Sequence, residues 1–384
     1  MARTWPVTTR KRLMLGAFDT IARPIASVLL RDSPRTGRRP EKILVLELWH
    51  MGDVVLATPA LQRLREMYPG AHVTLLAKPH AEELLRGSGL VDEIITFEFP
   101  WTAMSGKYDL ARYDRAAISS LVKRLRAGHF DISLDCRMDL RSNLLTRAAR
   151  ALRRVGYDFG GGGFLLTDAL PAPPADRHKV DDWMALLEAL VDKGMHVSPH
   201  IPEPRLTVAS EEREEAGRLL AAHGIEPGEP LVGIHPGGSH DAKRWSADNF
   251  AVVGHALAGA HGARLLVFVD PDGCGSDLQL EGSALFLRTS IREMMALLTH
   301  CDLLLCNDSG PMHIAAALGV PVVAVFRTGN PSAYGPRGVN HTVVGQGAVW
   351  GSTSDVAVED VLTAADSRLR TMRAGMRARA ETGA

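Results

Sequence analysis

Cysteine is scarce in this 384-residue chain, which has only Cys136, Cys274, Cys301 and Cys306. No two of them form a C-x-x-C pair, and no Cys/His cluster has the spacing of a zinc site. A secreted protein of this length is rarely held together by so few, so they read as reduced thiols of a cytoplasmic protein, packed in cores. The alternative for Cys301 and Cys306 is a functional thiol. An excess of one charge is missing too: 44 Lys and Arg balance 44 Asp and Glu. No global field recruits nucleic acid, and no basic block is interleaved with aromatics. No apolar run reaches the roughly 18–20 residues that a bilayer span requires. Residues 48–53, after the first predicted strand, lack the G-x-G-x-x-G of a dinucleotide-dependent oxidoreductase. Internal repeats and low-complexity segments are absent as well.

What is present is ordinary globular composition, 46% hydrophobic and 23% charged, in a chain long enough to bury two cores. Residues 8–30 stand apart. Arg10, Lys11 and Arg12 precede an apolar stripe at positions 14, 18, 21, 25, 28 and 29, which is helical spacing. The segment has no clean apolar h-region and no small-residue cleavage site, so it is not read as a signal peptide. It either lies on an anionic membrane surface as a basic amphipathic helix or packs on its own molecule or a partner chain. A polar linker with Pro and Gly occupies residues 31–40.

From residue 42 onward strand and helix patterns alternate. Strands are expected at 42–48, 73–77, 94–97 and 131–135, with helices at 53–68, 81–87, 111–127 and 142–150 between and after them. A gap follows, with four glycines at 160–163 and a Pro-rich run at 169–175. A helix at 180–193 precedes a Pro-rich boundary at 196–204 and a helix at 211–223. A second alternation places strands at 231–235, 264–269, 302–307 and 320–326, and helices at 247–260, 291–299, 310–318 and 358–373. The fold class expected is α/β: two doubly wound parallel-sheet domains in a GT-B-like layout, facing a cleft. The expected divisions are 1–40 as extension and linker, 41–200 and 201–350 as the two domains, and 351–384 as a closing helix with a basic tail.

Three strand-to-helix junctions carry chemistry. The first is Trp49-His50-Met51-Gly52-Asp53, at the carboxyl edge of the first strand, where open α/β sheets bind ligands. Gly52 allows close approach or a positive φ, and Asp53 reads either as a helix N-cap or as a general base. The second is His235-Pro236-Gly237-Gly238-Ser239 followed by Lys243-Arg244-Trp245. Its glycines admit an anion to backbone amides, Ser239 offers a hydroxyl and Lys243 a charge for a diphosphate. A plain turn is the other reading. The third, Asn307-Asp308-Ser309-Gly310-Pro311-Met312-His313, opens a helix whose free N–H groups and partial positive charge can seat a phosphate. Ser309 can cap that helix, Gly310 lets a phosphate come near, and His313 lies one turn inside. A plain capped helix is the competing reading.

Gly52-Asp53 followed by Thr58-Pro59-Ala60-Leu61, the His235-Pro236-Gly237 loop with Lys243-Arg244-Trp245, and Asp308 to His313 followed by Ala315-Ala316-Ala317-Leu318-Gly319 resemble glycosyltransferase family 9. That is the family of the ADP-heptose:lipopolysaccharide heptosyltransferases, and the similarity runs from about residue 42 to 338 in the family's order. The resemblance implies an inverting GT-B enzyme without a metal or other cofactor. Asp53 matches the catalytic base. Gly238, Ser239 and Lys243 match the donor-phosphate loop, and Asp308, Ser309, Gly310 and His313 the nucleotide-sugar loop. Trp49, His50, Gly52, Asp135 and Arg141, with Ser142 beside it, fall on the acceptor side. The partners implied are a nucleotide diphosphate sugar and a glycan or lipid-linked acceptor, handled in the cytoplasm or at the inner face of the membrane.

Four features depart from the family pattern, the long N-terminal extension among them. A basic residue is usual near the position of Glu47 and a small polar one near Trp49, both expected to line the site's mouth. The turn at 270–273 is Asp-Pro-Asp-Gly, read as a turn rather than a metal motif. Glu47 and Trp49 keep open an acceptor that is a secondary metabolite or a protein; a silent nucleotide-sugar-binding protein is the other class, and Asp53, Lys243 and His313 together argue against it.

Overall fold

The computed structural model describes residues 39–102, 113–159, 161–191, 195–280, 282, 284–338, 340–346 and 355–382. The amphipathic stripe at 8–30 lies outside the described residues. The chain divides into two compact units, with the break between Pro202 and Glu203.

In the first unit β1 (Lys42–Glu47) leads into α1 (Met51–Met67), then β2 (His72–Ala77), α2 (His80–Leu85), β3 (Glu93–Thr96), α3 (Arg115–Ala127), β4 (Ile132–Asp135), α4 (Leu140–Ala148), β5 (Arg153–Tyr157), β6 (Asp168–Leu170) and α5 (Lys179–Glu188). The strands pair in parallel in the order β3-β2-β1-β4-β5-β6. Ile43, Leu44, Val45 and Leu46 are all fully buried, as expected of a central strand covered on both faces. Leu44, Leu46 and Leu48 pack with Leu76, Ile95, Phe99, Leu121, Leu125 and Leu145 in one core.

The second unit repeats the plan. After α6 (Ser210–Ala222) come β7 (Leu231–His235), α7 (Ala247–His261), β8 (Arg264–Phe268), β9 (Ala284–Leu287), α8 (Ile291–Leu298), β10 (Leu303–Asn307), α9 (Gly310–Ala317), β11 (Val322–Val325), α10 (Pro331–Tyr334), β12 (His341–Val344) and α11 (Val358–Thr382). The order is β12-β11-β10-β7-β8-β9, again all parallel.

Both sheets are therefore doubly wound, each reversing direction beside its first strand. The reversal lies between β1 and β4 in one unit and between β7 and β10 in the other. A crevice opens at such a point because the flanking connections run to opposite faces. The two junctions Trp49–Asp53 and His235–Ser239 each leave the carboxyl end of a strand at that point.

Four strands escape the sequence patterns: β5, β6, β9 and β12. β5 is disguised by two arginines in what reads as a gap. Arg154 is buried, its Nε donating to Leu165 O at 2.7 Å and Nη1 to Ala151 O at 2.9 Å, while Arg153 bonds both oxygens of Asp168 at 3.2 Å. β6 falls across the start of the Pro-rich run. β6, β9 and β12 lie at sheet edges and are only partly buried. A short edge strand has no continuous apolar face to betray it.

Candidate active site

In the first unit, His50 rather than Asp53 is the N-cap of α1. Asp53 is the third helical residue, and its Oδ2 accepts the His50 N–H at 3.2 Å. Gly52 is helical and buried, not left-handed, so its smallness serves close packing in the first turn. Asp53 Oδ1 accepts a bond from Arg137 Nη1 at 3.0 Å. Arg137 leaves the end of β4 and lies 4.2 Å over the ring of Trp49, close enough for a cation–π attraction. Its backbone N–H donates to Asp135 Oδ1 at 2.9 Å. β1 and β4 are neighbours in the sheet, which is why residues 84 positions apart meet.

Three carboxyl groups crowd this point, and their surroundings separate them. Burial pushes Glu47 up to about 8, with repulsion from Asp53 and Asp135 adding and Arg137 opposing. Burial also pushes Asp135 up to about 7, against the nearby Ser142 hydroxyl and the N–H and guanidinium of Arg137. Burial pulls Asp53 the same way, but Arg137, His50, the His50 N–H and Lys179 outweigh it and hold Asp53 below its ordinary value. Asp53 is thus the most acidic of the three and Glu47 the least. Such a split marks sites of acid–base work.

Several expectations change here. Glu47 is 2% exposed and accepts the Trp49 N–H at 3.4 Å, so it does not line a mouth. Asp135 is fully buried, and its Oδ1 accepts the backbone N–H of Arg137 rather than facing an acceptor. Arg141 is held by both oxygens of Asp139, at 2.8 and 2.7 Å, with its guanidinium 5.9 Å from the Trp101 ring. Asp139 in turn caps α4 through the Arg141 N–H. Trp49 is half-buried and His50 exposed, their rings edge to face.

The second unit gathers its three loops at the reversal. Asn307, at the end of β10, donates from Nδ2 to Pro236 O at 2.7 Å and accepts the Trp245 N–H at 3.0 Å, tying the loop after β7 to β10. Lys243 Nζ bonds Asp308 Oδ2 at 2.7 Å. Arg244 reaches the Gly238 carbonyl at 3.1 Å and Asp272 at 2.8 Å. His235 is buried, with Nε2 3.0 Å from Asp270 Oδ1 and Nδ1 3.3 Å from Ser309 Oγ. Ser309 is the N-cap of α9 by backbone position, yet its hydroxyl makes no capping bond. Ser309 thus leaves the first-turn N–H groups of α9 uncapped by its own hydroxyl, and a helix start of this kind can seat an anion. Gly238 is half-buried and Ser239 exposed beside this point, whereas His313 is buried one turn inside α9.

Asp270 and Asp272 take different partners, His235 and Arg244, as a turn would have them. Among the described residues no three His, Cys, Asp or Glu side chains come together as metal ligands, and no helix is long and apolar enough to cross a membrane. Cys136, Cys301 and Cys306 are buried and Cys274 half-buried, all free. Burial pushes the Cys301 and Cys306 thiols well up, which suits packing rather than reactivity.

The pattern of glycosyltransferase family 9 (heptosyltransferase) matches residues 118–360. The chain belongs to glycosyltransferase family 9. Lipooligosaccharide heptosyltransferase 2 of Campylobacter jejuni is 25% identical over 292 residues, 73% of this chain and 79% of the relative. Lipopolysaccharide heptosyltransferase 2 of Salmonella typhimurium is 26% identical over 307 residues, 76% of this chain and 84% of the relative. The ADP-heptose lps heptosyltransferase II of E. coli superposes with a TM-score of 0.68 at 22% identity, covering 86% of this chain and 99% of that one. The family 9 chain is accordingly a glycosyltransferase with two Rossmann-like units of the GT-B class.

The sequence pattern of this family 9 protein singles out Asp53 and the pair Lys243 and Asp308, but not the cation beside Asp53. Arg137 stood unremarked in the segment after β4. Lys179, which bonds Asp182 at 2.8 Å and helps hold Asp53 ionised, begins a helix far along the chain. His80 was missed too: burial, helped by Lys78 and His50, pushes it down to about 4. The only available signal was topological, because each of these residues stands at the carboxyl end of a strand or the start of a helix near the reversal.

Proposed function

We propose that the protein is an inverting, metal-independent heptosyltransferase that moves a heptose from ADP-heptose to an acceptor hydroxyl in lipopolysaccharide or a related surface glycan. The observation that carries this reading is the Asp53 carboxylate in the first turn of α1, its Oδ1 3.0 Å from Arg137 Nη1, which holds it below its ordinary value while burial raises Glu47 and Asp135. The heptosyltransferases that the chain resembles suggest the sugar and the class of acceptor.

In this mechanism Asp53 removes the proton of the acceptor hydroxyl. The acceptor oxygen forms its bond to the anomeric carbon as the bond to the diphosphate breaks on the opposite face, so the configuration inverts. The nucleoside diphosphate leaves against Lys243, the loop at Gly238 and Ser239, and the N–H groups at the start of α9. Asp308 gives up its bond to Lys243 when the diphosphate takes the ammonium. Base catalysis of this kind contributes about 10²–10⁴-fold. Trp49, His50 and the Arg137 guanidinium form the acceptor-side wall. Docking of residues 8–30 on the cytoplasmic face of a membrane, with Arg10, Lys11 and Arg12 toward anionic headgroups, would bring the enzyme to a lipid-linked acceptor.

The test is a transfer assay with ADP-heptose and a deep-rough lipopolysaccharide acceptor, run with and without EDTA, the product anomer read by NMR. An inverted linkage formed equally well in chelator supports the proposal. A retained anomer, or activity that returns only with added magnesium or manganese, overturns it. Because Trp49, half-buried under the Arg137 guanidinium, stands where the family resemblance leads one to expect a small polar residue, a second reading gives the same chemistry a different acceptor. Donor hydrolysis without transfer to lipopolysaccharide would favour it.

A further inference from the structure

Ser309 stands where a serine hydroxyl ordinarily accepts from the N–H groups of a helix's first turn. It does not do so. Its Oγ is engaged with His235 Nδ1 at 3.3 Å, and His235 Nε2 is engaged with Asp270 Oδ1 at 3.0 Å. Three side chains from three different strand ends thus form one line. The ring in the middle is 2% exposed, so water does not compete for either nitrogen.

The line depends on the backbone around it. Any Cβ at position 237 would overlap Asp270 Oδ2 and fall 2.9 Å from His235 Cε1. Only glycine lets the carboxylate reach the ring. The turn at 270–274 is closed by the Asp270 N–H on Cys274 O at 3.0 Å, and Cys274 Sγ meets Pro236 O at 3.8 Å. Asn307 grips Pro236 from the other side. Nearby charges are already paired elsewhere, Lys243 with Asp308 and Arg244 with Asp272.

An ionised carboxylate can only accept a hydrogen bond. With Asp270 on Nε2, that nitrogen carries the hydrogen, and Nδ1 of the neutral ring is left as an acceptor. Ser309 then donates its proton inward, and what its oxygen offers a ligand is lone pairs. Lone pairs repel a phosphate oxygen and accept from an O–H. We infer that Asp270 and His235 are positioning residues that make Ser309 an acceptor for a hydroxyl of the donated sugar. The diphosphate is left to Lys243 and the N–H groups of α9. This rests on the second unit being the donor half, as proposed above, and it separates sugar recognition from phosphate recognition within one loop.

Calorimetry with the full chain and two probes, ADP and ADP-heptose, tests it. Ser309→Ala should weaken ADP-heptose about fivefold, the range of one neutral hydrogen bond, and leave ADP within about twofold. Ser309→Thr, which keeps the hydroxyl, should restore the affinity. Asp270→Asn should reproduce the selective loss, because the amide no longer dictates which ring nitrogen holds the hydrogen. Equal weakening of both probes by Ser309→Ala would put the hydroxyl on the phosphate and overturn the inference. No weakening of either probe would overturn it as well. So would an Asp270→Asn variant whose preference for the sugar nucleotide is unchanged. A wild-type chain that binds neither probe would instead bring down the donor reading on which the inference stands.

Discussion

Arg137 Nη1 lies 3.0 Å from Asp53 Oδ1 and its guanidinium 4.2 Å over Trp49. The base candidate therefore has a fixed cationic neighbour, itself stacked on an aromatic face. Two consequences oppose each other. The cation keeps Asp53 ionised and available at neutral pH, but it also makes Asp53 a weaker base. Catalysis needs a carboxylate that is both ionised and basic, and Arg137 sets the balance.

Asp53→Asn is expected to lower transfer by about 10²-fold or more while ADP binding stays unchanged. The Asn side chain can still accept the His50 N–H, so α1 keeps its first turn. Steady-state rates beside ADP calorimetry decide the point. Turnover within a few-fold of wild type would reduce Asp53 to a helix-end residue.

Arg137→Ala is expected to move the acid limb of the kcat/KM profile to higher pH. The sign follows from the charge: Arg137 holds the Asp53 carboxyl down, so its removal lets that carboxyl titrate higher. Arg137→Lys should fall between the two, since an ammonium keeps the charge but loses the planar stacking. An acid limb that does not move in either variant would show that Arg137 does not tune the base.

Glu47→Gln is expected to stabilise the fold above neutral pH. The folded state holds the Glu47 proton up to about 8, far above the ordinary 4.5, so the folded chain binds more protons than the unfolded one across that interval. Stability is then full below about 4.5 and falls as pH rises through 8. Melting curves from pH 5 to 9 should slope downward for the wild type and less so for the variant. Parallel slopes would mean that Glu47 is ionised in the folded protein.

Lys243→Ala is expected to weaken ADP by about 10-fold or more, the range of a charge-assisted bond, and adenosine hardly at all. It also leaves Asp308 without its 2.7 Å partner, which adds local repulsion toward a diphosphate. Calorimetry with both ligands separates the contributions. An equal loss for ADP and adenosine would remove Lys243 from the phosphate.

Much of the architecture was legible in residues alone. β1, β7 and β10 are continuous apolar runs that end in Gly, Ser or Asp-rich junctions, and helices α1, α7 and α9 start within two residues of their expected positions. The strands that failed, β5, β6, β9 and β12, lie outside the sheet centres or carry arginines whose guanidiniums find buried carbonyls. Local periodicity reports burial, and these segments are either partly exposed or buried in spite of their charge.

Sequence by itself determined the repeated strand–helix plan, the three junctions where chemistry could sit, and the resemblance to one family of glycosyltransferases. Those are local properties: hydrophobic period, glycine, and side chains next to a strand's end. Tertiary structure decided which carboxyl is ionised and which hydroxyl points where. Asp53 is separated from Glu47 and Asp135 chiefly by its surroundings, above all the Arg137 guanidinium 84 residues along the chain, just past the end of β4. Ser309 turns from its helix because His235 and Asp270 arrive from two other strands. Proton affinity and hydrogen-bond direction depend on charges and partners within a few ångströms. In a doubly wound sheet those partners come from strands adjacent in space and distant in the chain.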